Sequence, residues 1–306
     1  MDKQLARTLI NSGVHFGHAV SRWNPRMKPY IFARRGMIHI IDVRETLKGL
    51  LIAQRLLVDV VSSGKDVVFV GTKRQAQESV RQAAAKCKMH YVSERWLGGT
   101  LTNFRTIRSR LQRLEELEAM EQAGTMAAES KKRAVSFRRE LRKIKSNLEG
   151  IRNMSRLPGA VIVVDAGKEY LALREARKLN ITTIGIIDTN SDPDTVDVAI
   201  PANDDSIRAI KLIVNELADA VALGRMTSRS AEAAGGRPAR ARSRRPTLAR
   251  AELRQQEQPQ GPAERKDSGE QESSPAVGQE GQGETSKQTK SPASLVPPTG
   301  QEQPSE

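Results

Sequence analysis

The chain holds a single cysteine, Cys87, in 306 residues, which excludes an internal disulfide framework and any multi-cysteine zinc site and fits a reducing cytoplasm. Aromatic residues are scarce too, at 3%. They are unevenly spread: Phe16, Trp23, Tyr30, Phe32, Phe69, Tyr91, Trp96 and Phe104 come early, and only Phe137 and Tyr170 follow. The last third of the chain therefore has little from which to build a core. No stretch approaches the roughly 20 consecutive apolar residues that span a bilayer. The opening Met1-Asp2-Lys3 begins no secretory signal pattern, so a membrane partner is not expected.

Positive charge is what the chain has in excess, with 50 Lys and Arg against 36 Asp and Glu, a net +14. From Arg225 onward Ala, Gly, Pro, Ser, Gln, Glu and Arg dominate, a composition that buries too little apolar surface to offset the entropy of ordering a chain. Residues 225–306 are therefore expected to form a disordered tail. That tail takes 13 basic and 11 acidic residues, leaving 37 against 25 and a surplus of 12 in the first 224. So basic a body points to a polyanion, because Lys and Arg that neutralise phosphates release condensed counterions. Nucleic acid leads, ahead of an anionic membrane. Seven arginines between Arg237 and Arg254 would add only nonspecific attraction.

Short apolar runs alternate with amphipathic stretches along the body. Strands are expected at Met37–Asp42, Val67–Val70, Tyr91–Val92, Val161–Asp165, Ile184–Asp188 and Val196–Ile200, with helices over Arg44–Ser62, Lys73–Lys86, Glu169–Leu179 and Asp205–Leu223. Unbroken β-branched runs separated by helices indicate a parallel sheet covered on both faces. The fold expected is an α/β, flavodoxin-like or Rossmann-like doubly wound sandwich. Between Phe104 and Arg152 the period changes. Ala134, Phe137, Leu141, Ile144, Leu148 and Ile151 repeat every three or four residues, and Phe104, Ile107, Leu111 and Leu114 match them. This predicts an antiparallel coiled-coil helical hairpin over 104–152, inserted into a discontinuous sandwich domain of 1–103 and 153–224. The hairpin carries thirteen basic and seven acidic residues.

Three groups of residues could carry chemistry. Lys73 and Arg74 follow Gly71-Thr72 at a strand-to-helix turn, where unpaired N–H groups favour phosphate. The complete phosphate-loop pattern is missing, so an RNA phosphate contact or plain surface charge is a better reading there than a nucleotide site. Asp165, Asp188, Asp192, Asp194, Asp204 and Asp205 gather at the expected ligand edge of the sheet. A set drawn from His18, Asp188, Asp204 and Asp205 could hold zinc or magnesium, although turn chemistry and capping of the last helix by Asp204 or Asp205 explain them as well. Basic and aromatic residues interleave from Arg22 and Trp23 through Arg26, Lys28 and Tyr30 to Arg34 and Arg35, which suits an RNA-facing arm or an extended loop whose rings complete the core. No activated Ser or Cys nucleophile accompanies His15 and His18. His39 and His90 are expected to be buried and satisfied.

The motifs GVHFGH (Gly13–His18), WNPRMKPYIF (Trp23–Phe32), IHIID (Ile38–Asp42), VGTKRQA (Val70–Ala76), RWLGGTLTNF (Arg95–Phe104), VVDAGKE (Val163–Glu169), IIDTNSDPD (Ile186–Asp194) and IPANDDSIRAI (Ile200–Ile210) together resemble the family of bacterial small-subunit ribosomal protein two. The resemblance implies a flavodoxin-like sandwich with a coiled-coil hairpin, seated between head and body of the small (30S) subunit. It implies no catalysis and no required cofactor. It further implies contacts with 16S ribosomal RNA and neighbouring ribosomal proteins, support for the large mRNA-binding ribosomal protein one, a cytoplasmic location, and no homo-oligomer. Carried onto this chain, the RNA-facing residues would be Arg22, Trp23, Lys28, Arg95, Trp96, Thr100, Asn103, Arg105 and the basic face of the hairpin, including Arg108. Two departures stand out: Ala202 where the family usually carries glycine, and the tail beyond Arg225.

Overall fold

A computed structural model describes residues 3–125 and 130–233. In chain order its helices and strands are α1 (Lys3–Asn11), β1 (Phe16–Ala19), β2 (Ile31–Arg35), β3 (Ile38–Ile41), α2 (Val43–Ser62), β4 (Val67–Val70), α3 (Arg74–Cys87), β5 (His90–Val92), α4 (Phe104–Gln122), α5 (Lys131–Leu148), β6 (Ala160–Val164), α6 (Tyr170–Lys178), β7 (Thr182–Ile187), β8 (Val198–Pro201) and α7 (Ile207–Ala233).

Five strands form one parallel sheet in the order β5-β4-β6-β7-β8. Numbered within the sheet this is the 2-1-3-4-5 order of flavodoxin-like proteins. Every residue of β4 and β6 is buried, and the two-residue period divides them between two cores. Val67, Phe69, Ile162 and Val164 face Leu50, Leu57, Val80, Ile213 and Leu217 of α2, α3 and α7. Val68, Val70, Val161 and Val163 face Trp96, Leu101, Ile107, Leu148 and Leu173. Helix α2 approaches β8 closely because position 49 is glycine: a Cβ there would lie 2.3 Å from the Ala199 carbonyl oxygen.

The first expected strand lies elsewhere. Ile38–Ile41 pairs antiparallel with β1 and β2 in a separate three-stranded sheet of order β1-β3-β2. Its alternation is one-sided, with His39 and Ile41 buried and Ile38 exposed, as in a sheet with one solvated face. The segment leading into β2 is no loose arm. It makes short helical turns at Val20–Arg22 and Pro25–Tyr30, the second capped by the Asn24 side chain accepting from the Arg26 N–H at 3.0 Å, with Met27 buried.

Helices α4 and α5 pack against each other. Near the sheet, Ile107 and Leu111 meet Leu148 and Ile151 in the second core. Farther out, Leu114, Leu117 and Leu141 form their own cluster with Phe137 and Ile144. Glu118 joins the two segments by ion pairs to Lys145 (3.1 Å) and Arg152 (2.9 Å). Helix α7 continues to Ala233, so the tail expected from residue 225 begins no earlier than 234. The extension is anchored by Arg225, which donates to the carbonyls of Cys87 (3.0 Å) and Lys88 (3.2 Å). Residues 234–306 of the expected tail lie outside the described residues. Among the described residues no helix is long and apolar enough to cross a membrane.

Candidate functional site

In a doubly wound sheet the ligand edge lies at the carboxyl ends of the strands, and here that edge is crowded with charge. Lys73 stands just before α3, Asp165 follows β6, Asp188 follows β7, and Asp204 and Asp205 follow β8. The Lys73 ammonium lies 2.7 Å from Asp204 Oδ1, 2.6 Å from Asp205 Oδ1 and 3.7 Å from Asp165 Oδ2. From β1, His18 places Nδ1 3.0 Å from Asp188 Oδ2 and Nε2 3.3 Å from Asp205 Oδ2. Asp165 adopts a left-handed backbone, φ 69°, and its Oδ1 accepts the Lys168 N–H at 3.1 Å. Glu169 reaches back to accept from both the N–H and the hydroxyl of Thr72.

Burial shapes the ionisation of this group. Asp204 is fully buried; burial, with Asp188 and Asp165 nearby, pushes its carboxyl up to about 7. Burial also raises Glu169, against the opposing hydrogen bonds from Thr72. Burial alone would lower Lys73, but the carboxylates of Asp204 and Asp205 outweigh it and hold the ammonium above its ordinary value. The hydrogen bond to Asp188 raises His18.

Neither aspartate caps α7. The Asn203 side chain accepts from the N–H groups of Asp205 (2.8 Å) and Ser206 (3.0 Å), and Ser206 Oγ accepts from Ala209 (3.4 Å). The acidic pair is thereby left to turn toward Lys73. The Asx-turn reading does hold at Asp192, whose Oδ1 accepts the Asp194 N–H at 3.0 Å. Ala202 keeps a negative φ, so its backbone has no need of glycine.

Three of the four residues proposed as metal ligands come together as a donor set. One donor atom each of His18, Asp188 and Asp204 lies within 4.8 Å of the others. Asp204 Oδ2 is buried without a hydrogen-bond partner. Asp205 instead bridges His18 and Lys73. An imidazole with two carboxylates, one oxygen unpartnered, is a donor set that suits zinc better than magnesium. The same edge is unsuited to phosphate, because the lysine that would meet it is already enclosed by three carboxylates.

The RNA candidates divide into two groups. Arg22, Lys28, Arg34, Arg35, Arg74, Arg95, Asn103, Arg105 and Arg108 are exposed. Arg26 is exposed but paired with Asp192 (2.6 Å) and Asp194 (3.2 Å). Trp23 is half-buried, its ring 5.3 Å from that of His39. Trp96 and Thr100 are buried, which corrects their assignment to an RNA-facing surface. Thr100 donates to the Leu97 carbonyl at 2.6 Å. Trp96 donates its indole N–H to Glu175 Oε1 at 3.2 Å. Lys73 is likewise enclosed.

Glu175 is the residue sequence reasoning missed. It is buried on α6 and also accepts from the backbone N–H groups of Gly99 (2.7 Å), Leu101 (2.9 Å) and Thr102 (3.1 Å) and from the Thr102 hydroxyl (3.2 Å). One carboxylate thus holds the whole Trp96–Thr102 loop, whose flanks present Arg95, Asn103 and Arg105. His39 corrects a further expectation: it is buried, but neither ring nitrogen has a hydrogen-bond partner. His90 is only half-buried. Cys87 is buried and its thiol is pushed up to about 11 by burial, which makes it an inert core residue.

A family model described as ribosomal protein S2 matches residues 9–224 of this chain. Among curated proteins, one named small ribosomal subunit protein uS2, from Rhodopirellula baltica, is 54% identical over 225 residues, covering 74% of this chain and 86% of its own length.

Proposed function

The chain belongs to the ribosomal protein S2 family, and on that premise we propose that it binds 16S ribosomal RNA through the exposed cations that flank the parallel sheet. Membership makes it a small-subunit ribosomal protein acting in translation, and not an enzyme. The observation that carries the RNA reading is how its cations are distributed. Lys73 and Arg26 are held by internal carboxylates. Among the described residues, Arg22, Lys28, Arg34, Arg35, Arg74, Arg95, Arg105 and Arg108 are exposed and make no ion pair with an acidic side chain. Exposed, unneutralised cations on a rigid scaffold are what phosphate contacts require. Residues 104–152, as a coiled-coil hairpin inserted in the sandwich, extend that basic surface. In this reading the protein works in the cytoplasm, one copy per subunit, beside other ribosomal proteins, and supports attachment of the mRNA-binding ribosomal protein one. The test is sedimentation of the tagged full chain from lysate through a sucrose gradient. Co-migration with the small subunit at low salt and release at high salt is expected; a protein that stays at the top of the gradient at both salts overturns the reading.

The ligand edge has a structural role in the same proposal. The unpartnered, buried Asp204 Oδ2 beside His18 and Asp188 favours a divalent metal, zinc in preference to magnesium, tying β1 to the ends of β7 and β8. When bound, the ion would give Asp204 Oδ2 a partner and add to the countercharge that Lys73 and His18 already bring to Asp204 and Asp188. Elemental analysis of the dialysed full chain is expected to find about one zinc per chain, retained by wild type and lost in His18→Ala. Absence of zinc from wild type under the same dialysis removes this part of the proposal.

A further inference from the structure

The three-stranded sheet has an outer face that the packing leaves uncovered. On β3, His39 and Ile41 turn inward, so Ile38 and Ile40 point out. The register places Phe16 and Ala33 beside Ile40, and Ala19 and Arg35 beside Ile38, on that same face. Large apolar side chains are well exposed here: Phe16 at 44% and Ile38 at 42% on the face itself, and Met37 at the hairpin turn and Phe32 in the bulge of the edge strand β2 both at 67%. Residues 3–41 hold seven Lys and Arg and no Asp or Glu. Arg22, Arg34 and Arg35 are exposed, without ion pairs among the described residues.

We propose that this face and the edge strand β2 that borders it, which together present Phe16, Phe32, Met37, Arg34 and Arg35 with Arg22 close by in the chain, are a platform for unpaired RNA bases and prefer single-stranded RNA to duplex. The inference rests on the RNA-binding reading above and names the kind of RNA one part of the surface takes. Two features of the surface select the ligand. The arginines, which come from a segment without Asp or Glu, call for a polyanion. The exposed rings call for flat apolar faces to stack upon, which a duplex hides in its own base stack and an unpaired strand offers. A protein partner would have to bring an acidic rim around an apolar centre, and that pairing is the competing outcome of the test.

The experiment uses the full chain and a fluorescent oligoribonucleotide of about ten nucleotides, free or annealed to its complement. Wild type is expected to bind the single strand more tightly. Phe32→Ala is expected to weaken single-strand binding by about 5- to 150-fold, the loss that one stacked base represents, and to leave duplex binding unchanged. Phe32→Tyr keeps a ring and is expected to restore single-strand affinity. Arg35→Gln is expected to weaken both forms and to flatten the salt dependence. If Phe32→Ala leaves single-strand affinity unchanged, or lowers both forms equally, the platform is refuted while the wider RNA reading stands. Loss of a neighbouring ribosomal protein from Phe32→Ala gradient fractions, with RNA affinity intact, refutes it in favour of a protein partner. Failure of wild type to bind either form refutes both readings. Because Phe32 is exposed, the substitution leaves the core untouched, and an unchanged urea midpoint checks this.

Discussion

Replacing Glu175 is the sharpest test of how this fold presents its surface. The side chain is 8% exposed and accepts five hydrogen bonds from the Trp96–Thr102 loop, three of them from backbone N–H groups. Burial opposes its charge, yet the N–H groups of Gly99, Leu101 and Thr102 win and hold the carboxyl below its ordinary value. Bonds to a charged acceptor contribute about 1.5–3 kcal/mol each, though not additively, and donors stranded in the interior cost about 1–3 kcal/mol apiece. Glu175→Ala is therefore expected to lower stability by about 3–5 kcal/mol, the range seen when one side of a buried charged contact is removed. Glu175→Gln keeps the shape but turns an amide donor toward other donors, and is expected to lose about 2–3 kcal/mol. Urea unfolding followed by tryptophan fluorescence reads the change directly, because Trp96 is one of the donors. The pH dependence has a definite sign. A group whose folded pKa is depressed contributes stability above its unfolded value of 4.5 and loses it as pH falls through the lower folded value. The gap between wild type and Glu175→Gln is thus full at neutral pH and closes in acid. A shift under about 0.5 kcal/mol at neutral pH, with unchanged denaturant slope, would refute the claim that this carboxylate organises the loop.

Other consequences are as direct. Gly49→Ala sets a Cβ 2.3 Å from the Ala199 carbonyl oxygen, a backbone atom that cannot swing aside; a loss of about 2 kcal/mol or more is expected in urea unfolding. Leu117→Ala empties a fully buried position in the small cluster between α4 and α5; about 2–4 kcal/mol should be lost, and helicity by circular dichroism should fall if that cluster holds the two helices together. Neutralising Arg105 and Arg108, exposed on α4, should reduce the slope of log affinity for RNA against log salt by about 1 per residue that contacts phosphate, without moving the urea midpoint.

Some of this structure is legible in the chain because the physics is local. VVFV and AVIVV have no polar face, so they could only be strands covered on both sides, and the helices between them follow from apolar periodicity. MIHIID reads as a strand too, yet a short apolar run does not say which sheet it joins or that one of its faces is solvated. The RWLGGTLTNF loop misleads in a different way. Its tryptophan and threonine are residue types that also serve RNA contacts, and only the fold reveals that Trp96 and Thr100 point inward. Glu175 leaves almost no trace, because most of its donors are backbone N–H groups, which every non-proline residue carries whatever its side chain. The adjacent Gly98 and Gly99, the latter at φ 90°, were the one local sign of a tight loop there.

The ligand edge shows why a familiar architecture need not carry the chemistry usual at its topological switch point. A strand-to-helix turn such as Gly71-Thr72-Lys73 offers a phosphate both N–H groups and a positive dipole. For that to operate, the lysine must be free and the rim must not be acidic. Here Lys73 is tied to Asp204, whose carboxylate lies 131 residues away in sequence, and to Asp205 and Asp165 besides. The attraction a phosphate would find is already satisfied within the protein, and the remaining carboxylates repel it. Charge available for an outside polyanion must then come from side chains beyond this edge: Arg22, Arg34 and Arg35 around the small sheet, Arg95 and Arg105 beside the loop held by Glu175, and Arg108 on α4. The parallel sheet in this reading contributes rigidity, holding those separate cations in fixed relation so that they meet the phosphates of one folded RNA together. It follows that removing any one of these arginines should weaken binding modestly, whereas releasing the loop that Arg95 and Arg105 flank should weaken it more than the loss of either charge.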